Sequence, residues 1–224
     1  MNRLEVIQKI IDKINAKTYL EIGVEFGATF SKINAERKIA VDPEIKISWK
    51  RKLADALKFC EIKYFEMASD EFFNKHNDLF AEEKIDAAFV DGLHTYRQSL
   101  KDIENCLQFL SDKGVVVAHD CNPINEASAA PNRETAKKSG EKKWSGDVWK
   151  TIAHLRSTRD DLEIFVLDCD YGMGIIRKGK PENMLNFQPE QIEKMTYNDL
   201  ANNREKFLNL KDIGYFGDFL KNIK

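Results

Sequence analysis

Tyr19-Leu-Glu-Ile-Gly-Val-Glu-Phe-Gly27 is the stretch on which the reading of this chain turns. A short apolar run closes on a turn with glycines at 23 and 27, and a helix can start from the second of them. That is the pattern of the first βα turn of a nucleotide-binding sheet. The charges do not suit a phosphate. Glu21 ends the strand and Glu25 sits in the loop, so a pyrophosphate would meet carboxylates instead of bare backbone N–H groups. A ligand with a nucleoside and a positive centre fits better.

Outward from this turn, strands and helices alternate. Leu4, Ile7, Ile10, Ile11 and Ile14 recur at helical spacing and predict an amphipathic helix over 3–16. Strands are expected at 18–22, 38–42, 61–65, 85–90 and 115–118, and near 162–167 and 172–177. Helices are expected at about 27–36, 46–58 (Ile47, Leu53, Ala54 and Leu57 on one face), 70–80 and 95–110. The continuous apolar runs suit strands covered on both faces. The order predicts an α/β fold, with no clear helix between the last two strands, which are expected to pair antiparallel. Residues 1–180 read as the main domain. They include the N-terminal helix and a lid-like loop at 121–145, too long to be a simple connection. Residues 181–224 read as a C-terminal helical extension, with Leu200, Phe207, Leu208 and Leu210 suggesting one helix and Tyr215, Phe216 and Phe219 packing it down.

With 224 residues, 42% hydrophobic and 32% charged, the chain suits one substantial domain with appended segments. A net charge of −2 offers no case for nucleic acid, although Lys137, Lys138, Lys142 and Lys143 cluster within the long loop. Cys60, Cys106, Cys121 and Cys169 form no CxxC pair, so no zinc site or disulfide framework is expected. The N-terminus lacks a signal-peptide pattern and no apolar run is long enough for a membrane span. The expectation is a cytoplasmic protein.

Four predicted strands end in acids: Glu21, Asp42, Asp91 and Asp120. Ligands of open α/β sheets bind at these ends. Asp42 lies 21 positions after Glu21, where a carboxylate can accept hydrogen bonds from both ribose hydroxyls of a nucleoside. The spacing serves NAD as well, and each acid alone could be a helix cap. Four on consecutive strand ends suggest one shared site.

Glu21-x-Gly23-x-x-x-Gly27, Val41-Asp42-Pro43, Val90-Asp91-Gly92-x-His94-x-Tyr96 and Gly114-Val-Val-Val-Ala-His119-Asp120 together resemble the class I S-adenosylmethionine-dependent methyltransferases. The likeness is strongest to a bacterial branch with an Asp-Gly-x-His-x-Tyr and His-Asp motif pair, and covers roughly residues 15–180. It implies a Rossmann-like, doubly wound, mostly parallel seven-stranded sheet with an antiparallel last strand. It implies that Glu21 and the backbone at Gly23 and Gly27 hold the methionine portion, Asp42 the ribose, and Ser69 and Asp70 the adenine. Asp91 would lie near the transferring methyl group. Leu93 stands where the family often has an acid, which leaves His94 as the nearest titratable group.

Methyl transfer from a sulfonium is an in-line displacement, and a hydroxyl acceptor needs a base or a metal ion to activate it. His94 and His119 are candidate bases, and Asp91 and Asp120 could share Mg²⁺, with Asn122 or His119 nearby. The catalytic set expected is thus Asp91, His94, His119 and Asp120, with the metal left undetermined. Trp144 could line an acceptor pocket, and Ser145 or Asp147 could cap the helix that follows it. The expected activity is O-methylation of a small molecule or sugar, with a sugar or nucleotide sugar as the candidate acceptor. The alternatives are an NAD-dependent oxidoreductase on a similar sheet and a non-catalytic cofactor-binding scaffold. A homo-oligomer formed through the C-terminal aromatic segment stays open.

Overall fold

The computed structural model describes residues 1–56 and 60–223. An amphipathic first helix, α1 (Arg3–Ile14), buries Val6, Ile7, Ile10, Ile11 and Ile14. It starts on a capping box, the Asn2 side-chain oxygen accepting from the Glu5 backbone amide and the Glu5 carboxylate from the Asn2 backbone amide. Then follow β1 (Thr18–Ile22), β2 (Arg37–Asp42), α2 (Trp49–Ala56), β3 (Glu61–Glu66), α3 (Ser69–Lys75), a 3₁₀ turn (Asn77–Phe80), β4 (Ile85–Val90), α4 (Tyr96–Gln108) and β5 (Leu110–Ala118). The second half has α5 (Arg133–Lys138), α6 (Trp149–Thr158), β6 (Leu162–Leu167), β7 (Met173–Lys178), α7 (Pro189–Lys194), α8 (Tyr197–Leu208), β8 (Leu210–Lys211) and α9 (Ile213–Asn222).

The strands form one mostly parallel sheet in the order β3-β2-β1-β4-β5-β7-β6-β8. β7 runs antiparallel between β5 and β6, as the unbroken run of the last two strands predicts. The sheet has eight strands instead of seven, because two residues of the C-terminal segment add β8 parallel to β6. Apolar side chains cover both faces. One layer includes Leu20, Ile39, Ile103, Trp149, Phe207 and Leu208, and the other includes the α1 isoleucines, Phe30, Phe89, Phe216 and Phe219. The C-terminal helices thus contribute to both layers.

Three local expectations change. The helix predicted at 27–36 is a series of turns. Glu25 and Gly27 take positive φ (41° and 69°), the buried Glu21 carboxylate takes the Phe30 amide, and Lys38 Nζ takes the carbonyls of Phe30 and Ile33. Competition of this kind from side chains prevents the regular i−4 ladder. The long loop holds the six-residue α5, capped by Asn132. The C-terminal segment has three helices where the sequence suggests one. The end of the helix predicted over 46–58, including Leu57, lies outside the described residues, as does Lys224.

Candidate active site

The carboxyl ends of β1, β2, β4 and β5 open into a cavity of about 1180 Å³. Backbone hydrogen bonds stitch its floor. The Gly23 amide donates to Val41 O and the Asp91 amide to Ile22 O, both at 2.9 Å. Gly23 has φ +89°, and a Cβ there would lie 2.1 Å from the Asp91 carbonyl oxygen. Only glycine allows these loops to meet so closely. Gly27 shapes the same loop but does not line the cavity; a Cβ on it would strike Ile47.

Glu21 is buried beneath this turn. Its carboxylate accepts from the Tyr19 hydroxyl at 2.5 Å and the Phe30 amide at 3.2 Å. Burial dominates and pushes its pKa up to about 8. Asp42 accepts from the amides of Glu25 (2.9 Å) and Glu44 (2.8 Å), so it ties the loops after β1 and β2 together at the cavity wall. At the far side the Ser69 hydroxyl donates to Asp102 (2.6 Å), the Gln98 side-chain amide bridges Ser69, Asp70 and Asp102, and Lys101 pairs with Asp70. Gln98 and Asp102 line the cavity and carry no signal in the sequence, because α4 presents them through its packing against α3.

The ends of β4 and β5 bring charges together. His119 Nδ1 lies 3.1 Å from Asp91 Oδ1 and 3.0 Å from Asp120 Oδ2. His94 Nε2 lies 3.2 Å from Asp91, and its Nδ1 faces the Trp144 carbonyl (2.8 Å) and Asp120 (3.3 Å). Arg3 reaches in from the first turn of α1 and donates to Asp91 (2.8 Å) and to both oxygens of Asp170. Asp120, Asp170 and Tyr171 all have positive φ, held at some conformational cost, and Asp120 and Tyr171 line the cavity. Burial alone would raise the pKa of Asp91 and lower those of the histidines, but their mutual attraction prevails. Asp91 is held well below the usual carboxylate range, and His119 and His94 are raised. His119 Nε2 is buried without a hydrogen-bond partner among the described residues, 3.5 Å from Asp170.

All four expected catalytic residues therefore meet, and every expected cofactor residue except Gly27 lines the same cavity. Arg3 and Asp170 lie far from the motifs in sequence, and only the fold brings them in. Asn122 faces away, bound to Asp168 and Arg204. Ser145 and Asp147 do not cap α6. Ser145 donates to Asp120 (2.7 Å), and Asp147 accepts the first amide of α4, from Tyr96 (2.7 Å). Trp144 lines the cavity, stacked on His94 with ring centres 5.2 Å apart. His76 and His154 are elsewhere, packed on Phe65 and bonded to the Tyr96 hydroxyl.

Asp91, His94 and Asp120 each offer a ligand atom within 4.8 Å of the others and could hold a cation. The mixed oxygen and nitrogen donors suit a transition metal at least as well as Mg²⁺, which prefers oxygen alone. No helix among the described residues is long and apolar enough to cross a membrane.

Residues 20–121, a little under half of the chain, match a family model described as a methyltransferase domain. No curated protein matches the sequence. Among solved structures, a candidate caffeoyl-CoA O-methyltransferase from Staphylococcus aureus is similar at 19% identity and TM-score 0.55, over 79% of this chain and 82% of that one. A methyltransferase of Podospora anserina, PaMTH1, solved with bound S-adenosylhomocysteine, is similar at 17% identity and TM-score 0.52, over 80% of each chain. A candidate O-methyltransferase from Klebsiella pneumoniae gives 11% identity and TM-score 0.55, over 79% and 80%. At these identities the likeness speaks for the fold. The chain has the Rossmann-like fold of S-adenosylmethionine-dependent methyltransferases, and its methyltransferase-domain match spans β1 to β5.

Proposed function

We propose that this protein transfers a methyl group from S-adenosylmethionine to a hydroxyl of a small acceptor such as a sugar. The observation that carries the reading is the convergence of Glu21, Asp42 and Asp91 around the Gly23 turn in one cavity. The residues suit the cofactor. Glu21 lies beneath the turn where the methionine ammonium belongs, Asp42 faces the ribose position, and Ser69 and Asp70 stand at the adenine end. The positive φ of Glu25 leaves an acidic loop where a dinucleotide phosphate would need bare amides.

The cofactor supplies the electrophilic methyl group, and the protein aligns the acceptor with it. His94 is the base in this reading. It is half-buried, lines the cavity, and is held by Asp91, Asp120 and the Trp144 carbonyl. Burial lowers its pKa, but the Asp91 and Asp120 carboxylates outweigh burial and raise it. As the acceptor oxygen is alkylated, its hydroxyl proton would pass to the His94 imidazole, which Asp91 and Asp120 stabilise as the cation. His119 and Asp120 fix its surroundings.

Calorimetric titration with S-adenosylhomocysteine and, separately, NADH tests the cofactor. Saturation by the first alone is expected, and saturation by NADH alone would overturn the reading. With radiolabelled methyl donor and a panel of hydroxylated acceptors, His94→Gln should lower transfer by about 10²- to 10⁴-fold. Asp120→Ala should abolish it with cofactor affinity retained. Normal activity in Asp120→Ala would remove that residue from the mechanism.

A further inference from the structure

We infer that the acceptor carries a phosphate or diphosphate group, which the 121–145 lid binds while the acceptor's hydroxyl faces His94. This deepens the methyltransferase reading and rests on it. The lid contributes four cations to the cavity lining: Arg133, Lys137, Lys142 and Lys143. Two other cations line the same cavity and are already matched, Arg3 by Asp91 and Asp170, and Lys46 by Glu25 and Glu44. Among the described residues, no carboxylate lies within ion-pair distance of the four lid side chains, and the Tyr171 ring is the group that Lys143 meets.

The acids of the lid are arranged so as not to cancel them. Glu126 lines a different cavity, and Glu134 does not line this one. Glu141 does line it, but its carboxylate is bound within the lid, accepting from the Asn125 side-chain amide (2.7 Å) and from the amides of Lys142 (2.8 Å) and Lys143 (3.0 Å). Those bonds fix the turn that presents the two lysines. Lys143 Nζ lies 5.5 Å from the centre of the Tyr171 ring, which stands edge-on to His119. Trp144, next in sequence, stacks on His94. Lys143 thus stands at the Asp91–His119 end of the cavity, and the other three lid cations line the same cavity.

The cofactor does not account for them. It carries one carboxylate against an ammonium and a sulfonium, so at most one lid cation can serve it. A multiply charged anion on the acceptor matches the remainder, and clustered lysines bind phosphate as point charges. The acidic β1 turn excludes phosphate from the cofactor end, so the two ends of the cavity sort their ligands by charge.

The test is calorimetry on the full chain at low ionic strength. S-adenosylhomocysteine is titrated first, and the loaded protein is then titrated with inorganic phosphate, pyrophosphate or citrate. Pyrophosphate should bind more tightly than phosphate and citrate, and its affinity should fall as salt shortens the reach of the cations. The variant K137A/K142A/K143A should bind pyrophosphate at least tenfold more weakly with unchanged S-adenosylhomocysteine affinity. A control variant, K9A/K180A/K194A, removes the same charge from exposed sites elsewhere and should bind as the parent does. Equal losses in both variants, no loss in the lid variant, or tighter binding of citrate would overturn the inference. Failure of S-adenosylhomocysteine to bind would overturn the methyltransferase reading, and the pyrophosphate titration of the unloaded protein would still decide the role of the lid.

Discussion

Asp42 and Asp91 both stand at the ends of parallel strands and both line the cavity, but they are held in different ways. Asp42 is bound by two backbone amides from its own neighbourhood, Glu25 and Glu44. Asp91 is bound by side chains, His94 from its own loop and, from far along the chain, Arg3 of α1 and His119 just after β5. The Asp42 wall is thus held by backbone amides of neighbouring turns, and the Asp91 cluster mostly by long-range charge pairing. A local arrangement is set once the strand and turn form. A charge cluster is set only when every contributing segment is in place.

The hardest blow to the local arrangement is Gly23→Ala. The added methyl would meet the Asp91 carbonyl in a backbone conformation unfavourable to alanine, and strain and overpacking together should cost about 4 kcal/mol. Denaturant unfolding and S-adenosylhomocysteine titration should both report it; a stable variant that still binds would show that the close approach is dispensable. Next comes the charge cluster. Asp91→Asn leaves Arg3 and His119 facing a neutral amide and should cost about 3 kcal/mol. Adding Arg3→Met should cost less than the two single changes together, because the pair is coupled; strict additivity in a double-mutant cycle would show that the contact carries no energy.

Glu21 gives a prediction in pH. Its pKa rises from the usual 4.5 to about 8 on folding, so the folded protein keeps a proton that the unfolded chain has lost. Stability is therefore fullest below about pH 4.5 and declines as pH climbs to about 8, by up to about 1.4 kcal/mol per pH unit from this group. Glu21→Gln should flatten that decline, and an unchanged pH profile of unfolding would remove Glu21 as its source. The smallest effect is expected at Arg204, which ties α8 to the start of the 121–145 loop through Asn122 and the Pro123 carbonyl. Arg204→Ala should cost about 1 kcal/mol and raise amide exchange across the first residues of the lid. Protection equal to that of the parent would show that the lid base is held by other contacts.

The same contrast explains what could be read from the sequence. Strand periodicity, the glycine turn and the acids at 21, 42, 91 and 120 are local patterns, and the sheet they predict is the one observed. The helix expected at 27–36 is lost because Lys38 and Glu21 compete for its backbone, a tertiary effect invisible to periodicity. Ser145 and Asp147 look like caps for the helix that follows them, yet they serve Asp120 and α4 instead. Arg3 reads as an ordinary polar residue at a helix start. Its role depends on how α1 lies across the sheet, which no local pattern encodes. β8 is too short to register as a strand at all.

The antiparallel strand β7 lies between β5 and β6 in the sheet although it follows both in the chain. As the protein emerges from the ribosome, β6 has no neighbour to join until β7 has been made. The first five strands can assemble in chain order, whereas β6 must wait exposed. Asp170 and Tyr171 lie in the connection between these late strands. The Asp170 and Tyr171 side of the cavity is therefore completed last, and a nascent chain can hold Asp91, His94 and His119 together before Arg3 meets its second carboxylate.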